Sequence, residues 1–244
     1  MRLRIPRDRL WLLPCIAGTA WFLTLAVMLL TWVGRGCPRY PGQQNPYIAF
    51  ISDIAAFQLK PLFLVGSVTT AVGYTGTMLA VHSARYDRRM YSFFDDAAWK
   101  KTASVAATCA GVVAGIGLVL LAVLDTFRFH AEHAVLLLVC FVGLAGSMVL
   151  TTVVWWEQAW KPTPFRGLRI YCAASAVIVF LDAGMGFAFY TLMQTEYWRV
   201  SGVLEWAMAF TGATYLWAFV GFLRVPGEGG GGGDRQALLG ETRR

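Results

Sequence analysis

The chain has 244 residues and a formal net charge of +7; 57% of its residues are hydrophobic and only 14% are charged. Soluble globular domains carry about 25% charged residues, so this composition excludes an ordinary soluble domain, and it also excludes the disordered, collagen-like and disulfide-scaffold classes. A mean hydropathy of +0.54 and an abundance of aromatic residues are typical of a membrane protein. We therefore expect membrane lipids, and no nucleic acid, as partners of the basic residues.

Six apolar stretches are long enough to cross about 30 Å of hydrocarbon, which takes roughly 20 residues of helix. The first stretch exceeds the apolar core of a signal peptide, so we expect it to be retained. The six stretches are 11–33, 61–81, 103–124, 134–156, 170–193 and 203–223. The sequence thus predicts an all-α polytopic membrane protein with six transmembrane helices in one bundle.

Positive charge is unevenly divided between alternate connecting segments. Segments on one side of the membrane carry 16 Lys and Arg residues, and those on the other side carry 5. Cytosolic segments are enriched in these residues, so the bias predicts that both termini lie in the cytosol. The chain then consists of a basic cytosolic N-terminus (1–10), a transmembrane domain (11–223) and a flexible Gly-rich cytosolic tail (224–244).

The cytosolic loop between the second and third spans mixes five cations with several aromatic residues. Aromatic rings settle at the membrane interface, and each cation contributes about 1 kcal/mol near an anionic lipid surface. The cations are Arg85, Arg88, Arg89, Lys100 and Lys101. This pattern predicts a phosphoinositide contact, although charge that only sets the topology explains it equally well.

The third span contains small residues at four-residue spacing. Ala107, Gly111 and Gly115 lie on one helical face, which lets two membrane helices approach closely. We expect an internal packing face, with homo-oligomerisation as the alternative.

Polar residues collect at the predicted outer ends of the spans. Asp125 ends span three, His130 and His133 share a helical face before span four, and Glu205 begins span six. Imidazoles and carboxylates can bind zinc or perform acid–base chemistry on a lipid headgroup. The alternative is a hydrogen-bonded cap that ties the spans together, with Asp53 as the N-cap of span two. We favour the cap, and expect no metal, no cofactor and no assigned catalytic residue.

Asp182 lies near the middle of the fifth span, where a charge costs about 2.5 to 3.5 kcal/mol even on the mildest scale. We expect it to face the bundle and meet a partner such as Tyr74, Thr75 or Tyr215. A proton or substrate pathway and a neutral hydrogen bond between helices both explain its presence.

Several short motifs resemble a known family. They are 46–48 and 51–53 before span two, 124–126 with His133 between spans three and four, and 205–210 in span six. In this layout the chain is similar to the family of the damage-regulated autophagy modulators (DRAM), the fungal suppressor-of-four-kinase proteins and the FGF-receptor-activating protein. The stretch 51–63 is most similar to the fungal group. The family-matching positions are Ser52, Asp53, Asp125, His133, Glu205 and Trp206.

The resemblance implies a function through the fungal members, which act at the plasma membrane as partners of a phosphatidylinositol 4-kinase. It favours a non-enzymatic integral membrane regulator of phosphoinositide signalling and phospholipid organisation that works with such a kinase complex. Other branches imply two alternatives. One is an autophagy modulator in the lysosomal or vacuolar membrane, and the other is a factor for remodelling GPI-anchor lipid in the Golgi or ER with an outer-face site of His130, His133 and Asp125.

Overall fold

The computed structural model describes residues 6–87, 90–91, 93, 95–161 and 166–224. All regular secondary structure within these residues is helical. A short 3-10 helix, Arg7–Arg9, precedes the first long helix. The helices are α1 (Leu12–Gly34), α2 (Ile51–Ala55), α3 (Lys60–Tyr86), α4 (Ala98–Val123), α5 (His130–Trp160), α6 (Arg166–Gln194) and α7 (Trp198–Phe222). Residues 1–5 of the predicted N-terminal segment and residues 225–244 of the predicted tail lie outside the described residues.

All six predicted spans are confirmed as helices long and apolar enough to cross a membrane. The helices extend beyond the predicted stretches, most of all α5, because an apolar window detects only the hydrocarbon part of a helix whose polar turns continue into the interface. The predicted role of Asp53 as the N-cap of span two is wrong. Asp53 lies in the separate helix α2, and α3 begins at Lys60 with Pro61 in its first turn, where proline loses no hydrogen bond.

The six long helices form a ring. Each packs on its neighbour in the order α1, α3, α4, α5, α6, α7, and α7 closes the ring against α1. The short helix α2 packs against α1 and α3. Because six helices bring the chain back to the side where it began, the two ends of the transmembrane domain lie on the same side, where the Arg224 guanidinium sits 5.4 Å from the Trp11 ring centre. We call this side the inner end, which the charge bias predicts to be cytosolic, and the opposite side the outer end.

Glycines allow the closest approach between helices in the ring. A Cβ added to Gly143 of α5 would lie 3.0 Å from the Ala110 carbonyl oxygen of α4. On α4, Gly111 faces Met78 and Ser147 side chains from α3 and α5. The predicted face of small residues therefore packs inside the bundle.

The ring encloses two hydrophobic clusters at different depths. The inner cluster includes Tyr74, Trp155 and Phe222, and the outer cluster includes Met28 and Trp206. A cavity of about 150 Å³ lies where the two clusters meet, lined by residues of both.

Candidate functional site

The loop before α2 is bound to α7 by side chains from both segments. Asn45 is fully buried; its Nδ2 donates to the Trp198 carbonyl at 2.6 Å, and its Oδ1 accepts the backbone N–H groups of Tyr47 and Ile48. In return, the Trp206 indole N–H donates to the Ala49 carbonyl at 3.0 Å. This exchange of hydrogen bonds holds the loop over the outer end of the ring.

Two acidic residues sit where this loop meets the bundle. Asp53 accepts the Phe50 backbone N–H at 3.0 Å and so satisfies the first turn of α2. Burial raises the pKa of Asp53 to about 6, against the smaller lowering effects of the Phe50 hydrogen bond and of the charge on His130. Glu205 reaches from α7 to the same segment, where its Oε2 accepts the Ile51 backbone N–H at 3.2 Å.

Asp125 is paired with a lysine. Its Oδ2 lies 2.6 Å from Lys60 Nζ, and its Oδ1 accepts the Arg128 backbone N–H at 2.8 Å. Burial alone would raise the pKa of Asp125, but the hydrogen bonds from Lys60 and Arg128 outweigh it and the pKa is lowered. The carboxylate therefore joins the start of α3 to the turn between α4 and α5.

The two imidazoles bind different segments. His133 is buried, and its Nδ1–H donates to the Leu124 carbonyl at 2.6 Å. His130 is exposed, with its Nε2 3.2 Å from Gln44 Nε2. No group of three His, Cys, Asp or Glu side chains that could hold a metal ion is found among the described residues. The outer polar residues bind different segments: Asp53, His133 and Glu205 bind backbone groups, and Asp125 and His130 contact the side chains of Lys60 and Gln44.

The cavity extends inward from this polar outer end. Glu205 and Ser52 line it at the outer end, and apolar side chains dominate the rest of its wall. Tyr74 of α3, Met148 of α5 and Tyr215 of α7 line its deep end. Helix α6 contributes no lining residue, although it packs against both α5 and α7.

At the inner end, Arg85 is not a lipid-facing residue, and its place in the predicted lipid contact is corrected. The side chain is 1% exposed, and its guanidinium makes two hydrogen bonds to the Asp96 carboxylate, at 2.6 and 3.0 Å. It also lies between the rings of Phe93 and Trp155, 4.6 and 4.7 Å from their centres. A charged side chain becomes this buried only when paired, so Arg85 fastens the loop to the bundle.

The accessible basic surface lies instead where α4 begins and α5 ends. Lys100 and Lys161 both donate to the Glu157 carboxylate, each at 2.9 Å, which brings the exposed rings of Trp99 and Trp160 to the same end. Lys101 is exposed beside them. We call Trp99, Lys101, Trp160 and Lys161 the inner basic surface. Arg88 and Arg89 of the predicted contact lie outside the described residues.

Asp182 faces the bundle as predicted, but the partners named from the sequence are wrong. Its carboxylate accepts the hydroxyl of Thr211 on α7. The contact is a hydrogen bond between neighbouring helices α6 and α7.

Sequence patterns missed several residues of the outer end. Asn45 had no signal except its turn-forming neighbour Pro46, and Lys60 counted only as a loop charge. The cavity also had no sequence signal, since it depends on how side chains from five long helices and α2 leave one space unfilled.

Comparison with known proteins confirms the resemblance inferred from the short motifs. An 81-residue stretch is 33% identical to Protein SFK1 of Saccharomyces cerevisiae (strain ATCC 204508 / S288c) and covers 32% of this chain and 22% of that protein. No solved structure matches the chain. The model of the family described as "Frag1/DRAM/Sfk1/Cwh43P N-terminal domain" matches residues 9–221, from before α1 to the last turn of α7. The chain therefore belongs to the Frag1/DRAM/Sfk1/Cwh43P family of membrane proteins.

Proposed function

We propose that this protein is a non-enzymatic regulator of phosphoinositide signalling and phospholipid organisation at the plasma membrane, and that it acts with a phosphatidylinositol 4-kinase complex. The observation that carries the proposal is the inner basic surface. Two exposed Trp rings and two exposed Lys side chains, Lys101 and Lys161, lie there, and Glu157 joins Lys161 at the end of α5 to Lys100 of α4. This is the combination that places a protein surface against anionic lipid headgroups.

The arrangement of the two ends supports a regulator over an enzyme. At the outer end Asp125, His133 and Glu205 each bind a named backbone or lysine partner, so at least one polar atom of each serves the fold. At the inner end Lys101 is exposed. Membership of the family and the partial similarity to Protein SFK1 support the role that the resemblance to the fungal members implies, in phosphoinositide signalling.

The test removes the charge of the inner basic surface in the full-length chain. Because each cation contributes about 1 kcal/mol near an anionic surface, we expect Lys101→Gln with Lys161→Gln to weaken lipid association by up to about 30-fold. In cells, recovery of phosphatidylinositol 4-kinase with the tagged chain and the plasma-membrane signal of a phosphatidylinositol 4-phosphate probe should both fall.

The matched control is Arg39→Gln, which removes an exposed cation at the outer end. It should leave kinase recovery and the lipid probe unchanged. Normal kinase recovery and a normal lipid signal in the Lys101→Gln, Lys161→Gln variant, at equal protein abundance, would contradict the proposal.

A further inference from the structure

The cavity between the two hydrophobic clusters has the length of a hydrocarbon chain. On α7 its lining runs from Glu205 to Leu216, and on α5 from Leu137 to Met148. At about 1.5 Å of rise per residue, each stretch is about 16 Å long, or half the hydrocarbon thickness of a bilayer. A volume of about 150 Å³ is small for this length. The space is a narrow slot, which fits a linear chain better than a fused ring system.

One side chain that lines the slot also forms part of the lipid-facing surface of the bundle. Phe141 lines the cavity and is 40% exposed on the outer half of α5. A molecule that passes Phe141 therefore comes from the hydrocarbon of the bilayer and not from water. An apolar cavity of this size stays dry, and apolar molecules are the ones that occupy such cavities.

Polar groups in the outer part of the slot set the orientation of the occupant. The Glu205 carboxyl uses Oε2 to accept the Ile51 N–H, and the Ser52 hydroxyl lines the same part of the cavity. Asp53, one residue further, adds a second carboxyl close to Glu205. Carboxyl oxygens accept hydrogen bonds in either protonation state, so this end suits a polar group that donates them.

We propose that the cavity binds one linear alkyl chain of a membrane amphiphile, with its hydrogen-bond-donating polar end beside Glu205 and its tail directed toward Tyr74 and Tyr215. The polar end then lies toward the outer interface and the tail toward the bilayer centre, which is the orientation of an outer-leaflet lipid. The donor is a hydroxyl or an amine. This site lies in the outer half of the bundle and is separate from the inner basic surface.

The first experiment blocks the slot. Gly212 of α7 lines the cavity, and a Cβ added there meets no atom within 4 Å, so we choose Gly212→Leu as the variant that occupies the slot. The matched control is Gly184→Leu on α6, where a Cβ also meets nothing and the residue lies outside the cavity. The full-length chain in nanodiscs is photolabelled with a long-chain alkyl alcohol that carries a diazirine in its chain. Labelled peptides are located by mass spectrometry.

Wild type and Gly184→Leu should be labelled at cavity residues such as Leu144 and Met148. Gly212→Leu should lose this labelling while its melting temperature stays near that of wild type. Equal labelling of Gly212→Leu at these positions, or wild-type labelling confined to the outer surfaces of the helices, would overturn the proposal.

The second experiment tests the polar end with probes matched in chain length. Alcohol and amine probes should label the cavity more strongly than the carboxylic acid or its methyl ester. Glu205→Leu should lose the preference for donors. Glu205→Gln keeps a carbonyl acceptor but no charge, so it retains the alcohol if the donor is a hydroxyl and loses labelling if the donor is an amine. Preferred labelling by the acid or the ester would overturn the assignment of a donor.

The experiments distinguish a failure of the proposed function from a failure of the proposed alkyl-chain site. Gly212→Leu leaves Lys101 and Lys161 in place, so kinase recovery can persist when the slot is blocked. Loss of labelling in the Lys101→Gln, Lys161→Gln variant is not expected.

Discussion

Each acidic side chain of the outer end has a distinct partner, and the kind of partner decides its role. Asp125 faces a lysine, which favours its ionised form. Asp53 is enclosed by the loop and by Glu205, and it accepts a hydrogen bond from the backbone N–H of Phe50. The Asp125 carboxylate links two segments of the bundle, whereas burial disfavours the ionised form of Asp53.

Asp53 makes the stability of the protein depend on pH. Burial raises its pKa from 3.8 to about 6. Between these values the folded protein holds a proton that the unfolded chain has released, so the free energy of unfolding falls as the pH rises through this window. The shift corresponds to at most about 3 kcal/mol between about pH 4 and pH 7.

Thermal unfolding of the detergent-purified chain at about pH 5 and about pH 7 checks this prediction. Wild type should lose more stability between the two conditions than Asp53→Asn, which keeps an oxygen that accepts the Phe50 N–H. All other titratable groups, including His130 and Glu205, are common to both proteins. An identical pH dependence in the variant would show that Asp53 does not take up the proton.

The pair of helices α4 and α5 has the most extensive contact in the ring, and glycines on both helices contribute to it. Gly143 lies against backbone atoms of α4, 3.0 Å from the Ala110 oxygen and 3.1 Å from the Ala114 nitrogen, measured from an added Cβ. On the other helix, Gly117 meets the backbone of Cys140 at 3.3 Å. In lipid, where no hydrophobic force drives helices together, such backbone contact is a main source of association.

Two glycines of α5 should therefore respond oppositely to alanine. Gly143→Ala places a methyl group against backbone that cannot move aside, so we expect a loss of about 1–3 kcal/mol as the helices separate. Gly146→Ala meets its nearest atom at 3.9 Å, an ordinary contact. It should be neutral or stabilising by up to about 1 kcal/mol, because alanine favours the helix. Melting temperatures of the two variants decide the matter, and equal shifts would exclude backbone contact at Gly143 as the cause.

The inner loop shows what a charge count cannot resolve within an element. Arg85 and Lys101 have the same weight in the positive-inside rule, yet one is buried against Asp96 and the other is exposed. The difference depends on Phe93 and Trp155, which come from different parts of the chain and meet only in the folded bundle. Local sequence gives the sign of a charge, and tertiary packing decides where it points.

At the scale of the whole molecule, the sequence predicts the six helices, because an apolar run of this length has no other way to satisfy its backbone in lipid. The sequence does not predict the order of the helices in the ring or the presence of the cavity. Nothing in the composition of α6 indicates that it packs against α5 and α7 without lining the cavity. The outer residues Asp125, His133 and Glu205 were found from their position, but their partners Lys60, Leu124 and Ile51 required the fold.

Orientation across the membrane is the property on which the proposals for both ends depend. With an even number of spans, the two ends of the transmembrane domain share a side, and the charge bias predicts that this side is cytosolic. Cys37 reports on the opposite side, since it is exposed in the segment after α1. The other four cysteines lie within α1, α4, α5 and α6, where thiols rarely ionise and react slowly.

A membrane-impermeant maleimide should therefore label Cys37 on intact cells if the protein is at the plasma membrane. The reciprocal reporter is Lys101→Cys in a Cys37→Ala chain, which should be labelled only after permeabilisation. The reverse pattern would place the inner basic surface outside the cell and contradict the proposed kinase contact. A chain in an organelle would give a third pattern, in which selective permeabilisation of the plasma membrane exposes the Lys101→Cys reporter while Cys37 stays protected in the lumen. That result would keep the orientation and move the proposed function to an internal membrane.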